Sequence, residues 1–205
     1  MTETVVDRIA SELGRRVIDS RLPPGTRLRQ DAFALEFGAS QVSVREALLR
    51  LEAQRLVVRE PGKGARVVPL PPGGEREILA MRLALEVLAL RSLTGRPSPR
   101  RLARIEVALD AGDRAGDAVE WEAANRDFHV SLSASAALPR LAASVLELNV
   151  ASSRYALAQA RPVQWEPRSN HDHRRIFEAV AAGDVDGAAA LLQHHLTAGD
   201  RIRRP

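Results

Sequence analysis

The stretch Pro69-Leu70-Pro71-Pro72-Gly73-Gly74 constrains this chain more than any other feature. Proline fixes φ and lacks a backbone N–H, so such a run can be neither helix interior nor central strand and reads as a short, fairly stiff linker. It divides the 205 residues into a small front domain over 1–68, a linker over 69–74 and a larger domain over 75–205. Each piece is long enough to bury a core of its own.

No apolar run is long enough to span a bilayer, and the opening MTETVVDRIASEL lacks the basic start and apolar stretch of a secretory signal. The expected location is the cytoplasm, with no membrane partner. Absence of cysteine removes disulfides, thiolate metal sites and cysteine nucleophiles, so any metal must be held by His, Asp, Glu or Asn. The front 68 residues hold 12 basic and 9 acidic side chains, and the rest 18 and 17, so the small excess of positive charge sits mainly in front. A modestly basic small domain suits a polyanion, and an aromatic content of 3% leaves few platforms for unpaired bases. Duplex DNA is the better polyanion.

In the front domain Val6, Ile9, Leu13 and Val17 recur at helical spacing, and Leu22-Pro23-Pro24-Gly25 forbids continuation, which predicts a first helix ending near Ser20. A second, Gln30 to Phe37, stops at Gly38, and Ser40 caps a third in which Val44, Ala47, Leu48 and Leu51 form the packing stripe. Beyond Leu56, LVVREPGKGARVV reads as two short strands about a glycine-rich tip carrying Lys63, flanked by Arg59 and Arg66. Helix, helix, glycine turn, helix and basic hairpin in that order describe a winged helix-turn-helix, whose last helix enters the major groove.

LPPGTRL, FGASQVSVREALLRLEAQRLV and GKGARVV, between Leu22 and Val68, together resemble the DNA-binding domain of the GntR family of bacterial regulators. The resemblance implies that Ser40, Gln41, Ser43 and Arg45 face operator bases or phosphates, that Arg29 lies near the backbone, and that Lys63 and Gly64 belong to the wing. Where the family usually reads Ser-Arg-Thr-Pro, this chain has Ser40-Gln41-Val42-Ser43. Gln favours adenine edges where Arg favours guanine, so a different operator base is expected there.

Behind the linker the periodicity predicts six amphipathic helices, over 75–94, 98–111, 116–135, 138–160, 168–182 and 185–202, and hence a mainly α protein with a helical bundle as its second domain. Asn125 and His129 are four apart, on one helical face. His173 precedes Gly183 by ten residues and His195 follows it by twelve, about 15 and 18 Å along two helices that fold back there. They can meet at one level. His171 and His194 point away from their neighbours' faces and are read as bystanders.

MRLALEVLAL, Asn125-Arg126-Asp127-Phe128-His129, His173-Arg174-Arg175-Ile176-Phe177-Glu178 and His195-Leu196 resemble the FCD domain found behind GntR-type winged helices. The resemblance implies a divalent metal on Asn125, His129, His173 and His195, and a small carboxylate effector. Zinc or nickel suits so nitrogen-rich a set. Arg82 and Arg154 are the candidates to fork the carboxylate. The implied function is an operator-binding homodimer whose DNA affinity follows a metabolite. The alternative is a metal-dependent hydrolase, suggested by His171-Asp172-His173, but Glu178, the carboxylate nearest His173 along the helix on its C-terminal side, lies about 140° round from it.

Overall fold

A computed structural model describes residues 3–60, 64–134, 136–159 and 170–202. Among them run nine helices and three strands, and the chain separates into two compact units, Met1–Pro71 and Pro72–Pro205.

The first unit contains α1 (Val5–Ile18), β1 (Arg27–Leu28), α2 (Gln30–Phe37), α3 (Gln41–Ala53), β2 (Val57–Glu60) and β3 (Gly64–Val67). Thr4 starts α1 with a reciprocal capping box: its hydroxyl accepts from the N–H of Asp7 while the Asp7 carboxylate accepts from the N–H of Thr4. Gly38 ends α2 at φ 59°, the left-handed conformation that glycine adopts without a steric penalty, and so turns the chain into α3 within three residues. Ile9, Leu13 and Val17 of α1, Phe33 of α2, and Val44, Ala47, Leu48 and Leu51 of α3 fill one core, closed by Leu28, Leu56, Val57, Ala65 and Val67. Arg16 ties α1 to α2 through Glu36 at 2.6 Å.

Helix α1 stops two residues short of Ser20, which itself takes a positive φ of 58°. The wing is also more than a hairpin. Strand β1 pairs antiparallel with β3, Arg27 opposite Arg66 and Leu28 opposite Ala65, to give a sheet of order β1-β3-β2. Two residues are too few to leave an alternating pattern, which is why periodicity gives no sign of β1.

The second unit is helical throughout its described residues: α4 (Gly74–Arg91), α5 (Pro99–Arg114), α6 (Ala118–Ala134), α7 (Pro139–Gln159), α8 (His171–Ala182) and α9 (Val185–Ile202). Helix α4 begins one residue inside the proline-rich stretch, with Gly73 at φ 82° in front of it. It packs against α6, α7 and α9, while α8 and α9 fold back on each other through Gly183. Val87, Leu90, Ile105, Leu109, Phe128, Leu132, Ile176, Val180, Leu192 and Leu196 make the core. Polar side chains interrupt this core: Arg82, Glu86, Glu122, His129, Asn149, Ser152, Ser153, Arg154 and His173 are all buried. Buried polar and charged groups need partners, and a collection of this size inside one bundle marks a site.

Candidate functional site

Two sites stand apart, one on each unit. On the first, Ser40 holds the start of α3: its Oγ accepts from the N–H of Ser43 at 3.1 Å and lies 2.9 Å from the Ser43 hydroxyl. Both serines are thus committed in part to the helix N-terminus. Gln41, Val42 and Arg45 project from the exposed side of the same turns, opposite the buried stripe. Val42 is an apolar side chain left 65% exposed. Sequence reading gave it no role, although its place between Gln41 and Ser43 on the free face is a sufficient signal, since a methyl-bearing side chain there can meet a thymine methyl. Arg45 forms no ion pair among the described residues. Arg29, just before α2, is exposed and bonded to Asp31 at 2.7 Å, and Arg59 and Arg66 of the wing pair with Glu52 and Glu60 at 2.7 and 3.5 Å. These are rim charges that can exchange a carboxylate for a phosphate. Gly64 opens β3, exposed, at φ 83°. Lys63 lies outside the described residues.

On the second unit, α6, α8 and α9 bring His129, His173 and His195 together, with one ligand-capable nitrogen of each within 4.8 Å of the others. Nε2 of His173 and Nε2 of His195 are 3.1 Å apart. Two of the rings are braced through the other nitrogen, and the third faces a carboxylate. His129 Nδ1 meets Glu86 Oε2 at 2.7 Å, His173 Nδ1 meets Asn170 Oδ1 at 3.0 Å, and His195 Nδ1 faces Asp172 Oδ2 at 3.6 Å. An acceptor on Nδ1 puts the proton there and turns the Nε2 lone pair inward, the arrangement by which proteins orient imidazole ligands. Phe128 stacks on His173 with centroids 4.3 Å apart, fixing the ring plane.

Two braces escaped sequence reading, Glu86 and Asn170, as did the carboxylate of Asp172 that faces His195. Asn170 is itself clamped, its amide nitrogen donating to the Leu109 carbonyl and to Asp113 Oδ1, both at 3.0 Å. A Cβ on Gly112 would collide with that amide, so a glycine lets Asn170 settle against α5. Contacts between α5 and α8 leave no trace in helical periodicity. Asn125 sits one turn before His129, half-buried, with its amide nitrogen donating to Glu122 Oε1 at 3.3 Å, which leaves its carbonyl oxygen as the atom available to an ion. His171 and His194 are exposed.

Burial holds the His173 imidazole down to about 2 and that of His195 to about 4, so both are neutral near pH 7, the form that ligates metals. The same desolvation pushes the Glu86 carboxyl up, but Arg82 and His129 outweigh it and hold the group well below the usual carboxylate range. Glu86 is held from three sides: Oε1 accepts from Arg82 Nε at 2.8 Å and Asn149 at 2.9 Å, and Oε2 meets His129 Nδ1 at 2.7 Å. Arg82 also gives Nη1 to Ser152 Oγ at 3.1 Å, while its Nη2 is buried with no hydrogen-bond partner among the described residues. Arg154 is buried on α7, its pKa lowered by desolvation.

The model of "Bacterial regulatory proteins, gntR family" matches residues 5–67, and that of the FCD domain matches 77–198. The HTH-type transcriptional regulator BphR of Paraburkholderia xenovorans is 27% identical over 98% of this chain and 86% of its own length. The structure of Escherichia coli McbR/YncC shares the fold at a TM-score of 0.81, with 22% identity over 98% of this chain and 97% of the other. A GntR-family transcriptional regulator from Pseudomonas syringae is 32% identical, with a TM-score of 0.57 over 95% of this chain and 82% of its own. BphR and the Pseudomonas syringae protein are named as regulators of transcription, and they lend the hydrolase alternative no support. The matched models span both units between them, and the chain belongs to the GntR family of bacterial transcriptional regulators, with an FCD domain as its second unit.

Proposed function

We propose that this regulator binds a two-fold operator as a homodimer in the cytoplasm, and that its affinity is set by a small carboxylate metabolite bound beside a divalent metal in the helical unit. The observation that carries the reading is the set of three buried or part-buried imidazoles gathered at one centre, with Nδ1 of His129 and His173 braced by Glu86 and Asn170 and that of His195 facing Asp172. Ordinary core histidines need no such common centre. His129, His173 and His195 supply nitrogen and Asn125 a weaker oxygen, which suits zinc or nickel. Such an ion orients a bound anion, and ligation by imidazole nitrogen and an amide oxygen leaves its charge uncompensated on the inner side. Arg82, whose Nη2 has no partner among the described residues, and Arg154 are the groups to grip the carboxylate.

On the DNA unit, Gln41, Val42 and Arg45 read the major groove, Ser40, Ser43 and Arg29 contact phosphates, and the wing at Lys63 and Gly64 touches the backbone or minor groove. Support for the dimer comes from α4, where Glu77, Met81, Ala84, Leu88 and Arg91 recur at steps of three and four and are all exposed. Met81 is 46% and Leu88 51% exposed. Paired antiparallel about Ala84, this stripe sets Met81 against Leu88 of the partner subunit and Glu77 against Arg91 of the partner subunit, a self-complementary face of the kind a two-fold interface requires.

The test joins elemental analysis of protein purified without a histidine tag to an operator footprint. About one zinc or nickel ion per chain is expected, lost in the His129→Ala, His173→Ala and His195→Ala variants and kept in His171→Ala and His194→Ala. No metal after incubation with excess zinc or nickel would overturn the metal centre, and no protected operator would overturn the DNA reading.

A further inference from the structure

We infer that Glu86 is an electrostatic pivot shared between the histidine cluster and Arg82, so that filling the cluster with a cation loosens Arg82 and frees its guanidinium for an anion. This rests on reading the three imidazoles as a cation site.

Glu86 is fully buried on α4. Its two oxygens serve opposite directions. Oε1 holds Arg82 Nε at 2.8 Å together with the Asn149 amide at 2.9 Å, and Oε2 holds His129 Nδ1 at 2.7 Å. One negative charge in a low-dielectric interior therefore stands between a permanent cation and the ring whose other nitrogen faces the cluster. Arg82 is 5% exposed and has one buried terminal nitrogen without a partner among the described residues, so its guanidinium is not saturated by them. Interior charges act on each other far more strongly than surface ones.

With the cluster empty, Arg82 is the one permanent cation that compensates Glu86. A divalent ion placed beyond the His129 ring adds positive charge on the far side of the same carboxylate, which is then shared. Two cations that depend on one anion oppose each other, and an anion arriving at Arg82 relieves the opposition. Metal and anion binding should then be positively coupled, each tightening the other by the same factor. A brace that merely holds the fold would have no such signs.

The signs give the experiment, with zinc as the probe on the full, untagged chain and affinity read by competition with a chromogenic chelator. Glu86→Gln keeps the shape and removes the charge, and zinc should bind about 10- to 100-fold more weakly, the usual range for losing a brace on a ligand. Arg82→Gln removes the competing cation and leaves Glu86 for the ion to compensate, so zinc should bind about tenfold more tightly. The double variant, which restores charge balance, should lose that gain. If Glu86→Gln does not fold, the comparison of Arg82→Gln with the double variant decides, and Arg82→Gln must bind zinc at least about tenfold more tightly than the double variant. Weaker binding in both single variants, or no change with Arg82→Gln, would overturn the pivot and leave Glu86 a simple brace. Failure of the wild type to bind zinc would instead overturn the cation site, and the pivot with it.

Discussion

The ring of Phe128 lies flat against the imidazole of His173, centroids 4.3 Å apart and planes 27° from parallel. An aromatic face offers no water and no acceptor, so this contact is part of the burial that keeps His173 neutral far below the ordinary histidine range.

That neutrality makes the metal-free protein acid-sensitive. The unfolded chain protonates His173 and His195 near 6.5, whereas in the fold they resist until about 2 and about 4. Between those values the unfolded state binds more protons, so stability falls as pH drops below about 6.5, by about 1.4 kcal/mol per pH unit for each histidine. Glu86 and Asp113, whose pKa values are lowered in the fold, add their own loss only below about 4.5 and 3.8. Denaturant unfolding of chelator-treated protein at pH 7.5, 6.0 and 5.0 should show the decline, with a shallower slope in His173→Phe. Equal stability at all three values would contradict the burial argument.

Gly112→Ala should injure the histidine cluster from a distance. The added methyl displaces the Asn170 amide, which releases His173 Nδ1, and overpacking of this kind costs about 1–3 kcal/mol. Zinc affinity should fall about tenfold, as for loss of any brace on a ligating imidazole. Calorimetry with and without zinc separates the two effects. A variant with a lowered melting temperature but unaltered zinc affinity would mean that Asn170 supports the fold alone.

Arg45→Ala should abolish specific operator binding while the circular dichroism spectrum stays unchanged, because Arg45 is exposed and contributes nothing to the core. Gel shifts across a salt series check it: unaltered affinity and salt slope would remove Arg45 from the interface. Gln41→Arg should move preference at one symmetric pair of operator positions from A·T toward G·C, read by selection from randomised duplexes.

If the protein pairs through α4 as proposed, Leu88→Glu should dissociate it. The substitution would set a carboxylate against Met81 of the partner subunit, and a buried unpaired charge is worth several kcal/mol against association. Sedimentation would show a monomer that keeps its helical content. A dimer of wild-type strength would move the interface off α4.

Most of the architecture was legible because amphipathic helices advertise their period: the six expected over 75–202 lie within a few residues of α4 to α9. The convergence of His173 and His195 followed from their similar distances to one turn, ten and twelve residues from Gly183. What stayed hidden is what period cannot carry. Glu86 reaches His129 across 43 residues, and Asn170 reaches Leu109 across 61, through contacts between helices whose relative rotation no spacing fixes. Strand β1, two residues long, was too short to see.

The three imidazoles come from positions separated by 44 and 22 residues on α6, α8 and α9. An ion gripping all three would be a removable cross-link closing two loops at once, and loop-closure entropy grows so slowly with length that the longer loop adds only about 0.6 kcal/mol over the shorter. Such a tie acts chiefly on the unfolded chain by forbidding it most of its extended conformations, as a disulfide does in the chain-entropy model. In a protein without cysteine, the histidines are the residues that can knot three distant stretches of backbone together, and the knot opens with a chelator rather than a reductant.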